Sequence, residues 1–227
     1  MLYRDRTEAG RVLASHLADY AHRDDVVVLA LPRGGVPVAE QVARAIDVPL
    51  DVFVVRKLGL PGQEELAMGA IASGGVRVLN EDVIEHLAVP ERVIETVLQR
   101  ERDELARREF LYRECRPLVD VTGKTVILVD DGLATGSTML AAVQAVRRAR
   151  PARVIVAVPV GASEACASLA READGCVCPA TPEPFCGVGR WYRDFTQTSD
   201  VEVREILEHA YKARQSDPAA VEAQHTL

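Results

Sequence analysis

Two acids with nothing between them, Asp130 and Asp131, close an apolar run (Thr125–Val129) and open the stretch Gly132-Leu133-Ala134-Thr135-Gly136-Ser137-Thr138. In extended backbone the two side chains point to opposite sides, and burying either charge without a partner is costly. Vicinal ribose hydroxyls are good partners for carboxylate acceptors. A divalent ion bridging a polyphosphate and a sugar is another, so a sugar phosphate with Mg²⁺ on Asp130 and Asp131 accounts for both. The plain structural alternative for such a pair is a helix cap or a turn. In the following loop, backbone N–H groups from Leu133 to Thr138 and the hydroxyls of Thr135, Ser137 and Thr138 can wrap a terminal phosphate at a helix N-terminus, where the dipole favours anions. Gly132 and Gly136 permit the tight path. A Walker A loop is excluded, because Ser137 stands where its lysine would be.

Two other strand ends carry charge. Val26–Leu31 runs into Pro32-Arg33-Gly34-Gly35, and Val52–Val55 runs into Arg56 and Lys57, then into LGLPGQEE. That Gly- and Pro-punctuated stretch, ending at Glu64 and Glu65, reads as a long loop, and long loops in compact domains usually serve function. Open parallel sheets bind ligands beyond the carboxyl ends of their strands, so the three loops should converge. Gly161-Ala162-Ser163-Glu164-Ala165 approaches the GxSxG elbow of serine hydrolases, but the last glycine is missing. Ser163 reads as a helix N-cap, and His209 and His225 offer no Asp-then-His constellation to serve it.

The elements that would hold these residues form an α/β pattern with a mostly parallel central sheet flanked by helices. The spacing of Val12, Leu13, His16, Leu17 and Tyr20 predicts an amphipathic helix over 7–20. Strand 26–31, helix 36–46 and strand 52–55 make one βαβ passage; strand 125–129, helix 138–150 and strand 154–158 make a second. Residues 68–79 predict a hairpin around Gly74-Gly75. Asn80 then caps a short helix, and Pro90 opens a longer one to about Tyr112. The stripe of Ile94, Val97, Leu98, Leu105 and Leu111 makes this insertion, about 80–116, a covering element; a dimer contact or lid is the alternative. Helix 163–171, strand 175–178, an irregular aromatic segment (about 179–199) and a helix over 201–212 complete one domain, 1–214, before a mobile tail, 215–227.

The chain has 227 residues, 48% hydrophobic and 27% charged, with a formal net charge of −7. These values suit a folded domain with an ample core and disfavour a nucleic-acid-binding surface, so any phosphate site must be local. Five cysteines, odd in number and without CxxC spacing, support neither a disulfide framework nor a zinc ribbon, and reduced thiols are expected. No segment reaches the length of a membrane span and the N-terminus is charged, so the expected location is the cytoplasm.

VDDGLATGST resembles the signature of type I phosphoribosyltransferases, and the resemblance extends over roughly residues 25–200. It implies that Asp130 and Asp131 hold the ribose 2′ and 3′ hydroxyls of phosphoribosyl pyrophosphate (PRPP) and that Gly132 to Thr138 bind its 5′-phosphate. It also implies a pyrophosphate loop at Arg33, Gly34 and Gly35, and a flexible catalytic loop carrying Lys57 and Glu65. Mg²⁺, Arg33 and Lys57 would stabilise the departing pyrophosphate electrostatically. Ala134 departs from the aspartate of 6-oxopurine enzymes and is similar to adenine and uracil members. Phe185 to Asp194, conversely, resembles the base-covering hood of 6-oxopurine enzymes, where Phe185, Trp191 and Tyr192 would contact a base or serve as core aromatics. The acceptor is therefore left open as a small molecule, nucleobase-like or not. A homodimer is expected by resemblance only, and a non-catalytic PRPP- or nucleotide-sensing regulator is the alternative function.

Overall fold

The computed structural model describes residues 3–114 and 116–215, apart from the side chain of Glu65. Its centre is a five-stranded sheet in the order β2 (Leu50–Val52), β1 (Val26–Ala30), β6 (Thr125–Val129), β7 (Arg153–Ala157), β8 (Gly175–Val177), parallel at every pairing. Apolar residues run without interruption through β1 and β6 because both faces of the sheet are covered. Val26, Val28, Ala30, Ile127 and Val129 face a core closed by α1 (Arg6–Ser15), α2 (Gly35–Ile46), α4 (Glu91–Arg113) and α7 (Asp200–Gln215). Val27, Leu29, Val126 and Leu128 face a second core under α5 (Ser137–Arg147) and α6 (Ser163–Glu172).

A three-stranded antiparallel sheet stands beside the first: β3 (Val55–Leu60), β4 (Gln63–Ala72) and β5 (Val76–Leu79). The stretch read from the sequence as a long loop is therefore a hairpin arm. Pro61-Gly62, with Gly62 at φ +82°, makes its two-residue turn between the paired Leu60 and Gln63. Pro and Gly punctuate a turn as readily as a loop, so composition alone could not separate the two. The 68–79 hairpin is present as β4 and β5, turning at Ser73–Gly75.

The insertion is α3 (Glu81–His86), capped by Asn80, whose side chain accepts from Val83 N, followed by α4, which begins directly after Pro90. Ile94, Val97, Leu98 and Leu105 of α4 are buried in the first core, as the stripe predicts, while Leu111 is only partly buried. The opening helix is shorter than expected. It is capped by Asp5, which accepts from Glu8 N at 2.8 Å, and it ends at Ser15; Ala18–Tyr20 form a separate 3₁₀ turn. The tail expected over 215–227 lies outside the described residues, except for Gln215, which ends α7.

Candidate active site

The carboxyl ends of β1 and β6 are neighbours in the sheet, so the loops that follow them meet. The contact is very close. A Cβ placed on Gly34 would lie 2.1 Å from Asp131 Oδ2, and one on Gly35 would lie 2.6 Å from Val129 O and 2.9 Å from Asp130 Cα. Gly34 has ordinary helical dihedrals, φ −60° and ψ −33°. It is needed there for want of space and not for a left-handed backbone. Gly34 and Gly35 open α2, and Gly136, at φ +74°, caps α5, so two helix N-termini flank the acid pair.

Asp131 is held by a residue that sequence reasoning did not single out. Arg6, at the start of α1, donates from Nε and Nη2 to Asp131 Oδ2, both at 2.8 Å, and from Nη1 to Thr196 O at 2.7 Å. Its guanidinium lies 4.0 Å from the Phe195 ring centroid. Tyr192 Oη donates to Asp131 O at 2.6 Å, and its ring packs against Tyr3 and Phe195. Among the described residues no ion pair is made by Asp130; its Oδ1 accepts from Asp131 N at 2.8 Å. Burial, with the Asp131 charge beside it, pushes the Asp130 carboxyl well above the usual range. Burial also raises Asp131, against the opposing pull of Arg6.

The loop expected to cradle a phosphate differs from expectation at one residue. Leu133 is buried in the second core, and its N–H donates to Val160 O at 3.0 Å while its carbonyl accepts from Ala162 N at 2.9 Å. That N–H is committed to the protein, so Leu133 anchors the loop and does not belong to the cradle. Ala134, Thr135, Ser137 and Thr138 line the start of α5, all four exposed, with Gly136 half-buried among them. Thr135 Oγ1 and Ser137 Oγ lie 3.2 Å apart. Gly132 leaves room for the segment above it, since a Cβ there would be 2.5 Å from Val188 Cγ1.

Arg33 is half-buried, with Nη1 3.9 Å from Asp200 Oδ1 at the start of α7. The same carboxylate oxygen accepts from Tyr112 Oη at 2.5 Å. The insertion thus reaches the Pro32-Arg33-Gly34 turn through Asp200. Lys57 lies half-buried on β3, beside Arg56, which donates to Glu101 Oε2 of α4 at 2.8 and 2.5 Å. The expectation for Glu65 falls on a side chain outside those described.

The family model described as the phosphoribosyl transferase domain matches residues 4–178. The chain belongs to the phosphoribosyl transferase family. A Mycobacterium tuberculosis protein provisionally named a phosphoribosyl transferase is 48% identical over 211 residues, covering 93% of this chain and 47% of the relative. The chain thus spans about half the length of the curated relatives it matches. The crystal structure of TT1426 from Thermus thermophilus is 42% identical with a TM-score of 0.83, covering 92% of this chain and 99% of that one. The Aquifex aeolicus protein AQ2163 shares the fold at 12% identity and a TM-score of 0.50, covering 89% of this chain and 85% of that one.

In this phosphoribosyl transferase chain the aromatic segment after β8 folds over the acid pair. Phe185 and Trp191 pack, partly buried, against the small core of Tyr3, Ala9, Val160 and Tyr192. Trp191 Nε1 is buried and finds no hydrogen-bond partner among the described residues. Tyr192 is itself buried, whereas Phe195, not among the expected base contacts, is 38% exposed. Sequence reasoning stopped at Asp194 and missed Phe195; the signal available was one more aromatic beside a charged run. Ser163 is the first residue of α6 and is exposed, and the cap position belongs to Ala162 with no side-chain bond. The expected N-cap role of Ser163 is therefore not what starts this helix. The hydrogen bonds of Leu133 with Val160 and Ala162 fix the turn instead.

Proposed function

We propose that this chain transfers the 5-phosphoribosyl group of PRPP to a small, nucleobase-like acceptor and releases pyrophosphate. The observation that carries the reading is the contact between Gly34 and Asp131. It brings a cationic, glycine-lined turn against a carboxylate pair beside the N-terminus of α5, at the carboxyl edge of a parallel sheet. Phosphate at the start of α5 would be met by the loop 134–138 and the helix dipole. Pyrophosphate at the start of α2 would be met by Arg33 and the backbone of Gly34 and Gly35. One ribose between those two ends would lie against Asp130 and Asp131.

The C1–oxygen bond breaks with its electron pair going to pyrophosphate, and a lone pair of the acceptor forms the new bond to C1. The chain's contribution is to stabilise the developing negative charge with Arg33 and Lys57 and to hold the ribose hydroxyls in place. The residues fit a magnesium ion, because carboxylate oxygens are its preferred ligands. Asp130 is the better candidate of the two, since the charge of Asp131 is already matched by Arg6. Bound there with the substrate, Mg²⁺ would offset charge on the leaving pyrophosphate. Phe195 and the hood, residues 185–195, are the side from which the acceptor would approach, with Phe195 offering an exposed ring.

The test is pyrophosphate release from PRPP and Mg²⁺ with a panel of purine and pyrimidine bases. Acceptor-dependent release that falls at least tenfold in Arg33→Gln supports transfer. PRPP binding without release with any acceptor would turn the reading to a sensor.

A further inference from the structure

Three of the described cysteines meet outside this site. Cys176 of β8 and Cys178 just beyond it are two residues apart, so their side chains share one face of the strand. α6 covers that face and carries Cys166. A Cβ on Gly161 would lie 2.8 Å from Cys166 Sγ and 3.3 Å from Cys178 Sγ, so those sulfurs are separated by at most 6.1 Å, the two distances added. The Cys178 thiol donates to Ala180 O at 3.3 Å. Interaction with the Cys176 and Cys178 thiols favours the charged form of Cys166 and holds its pKa down to about 4, while the same interaction and burial push Cys176 and Cys178 up. Cys166 is only partly buried. Among the described residues no group of three or more His, Cys, Asp or Glu could hold a metal ion.

We infer that Cys166 is a peroxide-reactive thiol that closes a disulfide onto the β8 pair, Cys176 or Cys178. The Cys166 thiolate attacks one oxygen of hydrogen peroxide, the O–O bond breaks, and hydroxide leaves to become water. The sulfur of the sulfenic acid so formed is then attacked by the neighbouring thiol, which gives up its proton as the S–S bond forms and a second water departs. Two thiols lose two electrons and one peroxide gains them. A mobile surface thiol would need no such neighbours; here both partners are supplied by the fold.

The cluster also touches the phosphate-cradling loop. Gly161 bridges Leu133, and Leu169 and Ala165 of α6 would lie 3.3 and 3.5 Å from a Cβ on Gly136. Drawing α6 toward β8 should therefore disturb the start of α5, a consequence that rests on the PRPP reading above.

The experiment treats the full chain with excess hydrogen peroxide, blocks free thiols, and maps tryptic peptides without reduction. The expected product is peptide 154–171, which holds Cys166, linked to peptide 172–190, with the loss of two hydrogens in a monomeric chain. The link should persist in Cys186→Ser, vanish in Cys166→Ser, and vanish in Cys176→Ser/Cys178→Ser. Free Cys166 after treatment, or a link that runs through Cys186 or joins two chains, overturns the inference. In the same samples the oxidised protein should bind PRPP at least threefold more weakly than the reduced protein. An unchanged affinity overturns the coupling to the loop while the peptide map still decides the disulfide.

Discussion

Gly34→Ala should cost this protein stability through a residue 97 positions away in sequence, Asp131. The new Cβ would lie 2.1 Å from Asp131 Oδ2, where ordinary contact begins at 3.4 Å, so the carboxylate must retreat by about 1.3 Å or swing aside. That oxygen carries both 2.8 Å bonds from Arg6, and a retreat of this size takes them beyond hydrogen-bonding range. Losing a charge-assisted bond costs about 1.5–3 kcal/mol, and breaking a buried pair about 3–5 kcal/mol. Arg6 and Asp131 keep 11% and 14% of their side-chain surface, so a loss of about 2–4 kcal/mol is expected. At about 2–4 °C per kcal/mol for a chain of this size, Tm should fall by roughly 4–16 °C in a calorimetric scan. The mechanism is checked by a double-mutant cycle. If the damage runs through the ion pair, Gly34→Ala should cost less than half as much in an Arg6→Met background. Additive losses, or a Gly34→Ala Tm within about 1 °C of wild type, would refute the argument.

Asp130→Asn should stabilise the ligand-free protein increasingly as pH rises. Asp130 has a raised pKa when folded, so its contribution is fully present below the unfolded value and is lost as pH rises through the folded one. Asparagine cannot ionise and can keep accepting from Asp131 N. The stability difference, followed by thermal unfolding in EDTA, should be near zero at about pH 4 and favour the variant at about pH 8. It should grow by about 1.4 kcal/mol for each pH unit climbed between the unfolded and folded values; a less stable variant at pH 8 contradicts this. Tyr192→Phe removes the 2.6 Å bond to Asp131 O and should lower stability by about 0.5–1.5 kcal/mol in urea unfolding, with an unchanged midpoint counting against it. Tyr112→Phe frees Asp200 to move on Arg33. It should reduce pyrophosphate release several-fold while PRPP affinity holds, and equal losses in both would place the effect elsewhere.

Much of this was legible from the residues alone. Strands β1, β6 and β7 declare themselves as unbroken apolar runs because helices cover both faces, and α4 shows its buried stripe against a charged background. Asp130, Asp131 and the loop after them could be read as a site because no interior tolerates two bare carboxylates. The partner of Asp131 could not. Arg6 is 125 residues away and looks like any charged residue in the first turn of a surface helix. Asking which cation must answer a buried acid narrows the search, but only the packing of α1 on α2 chooses Arg6 over the other arginines. The β3–β4 arm was hidden because Pro61-Gly62 signals chain reversal without saying whether strands pair on either side. Leu133 was misjudged for a similar reason: whether a backbone N–H is available depends on Val160, which reaches it from β7's far end.

The central claim is that Asp130 and Asp131 hold the ribose of PRPP between two helix N-termini. Calorimetric titration of PRPP with Mg²⁺ into wild type and into Asp130→Asn/Asp131→Asn tests it most directly, with thermal unfolding of both proteins as the control for folding. Saturable binding to wild type that disappears in a folded double variant is the expected result. Absence of binding to wild type, or equal affinity in the two proteins, would contradict the account.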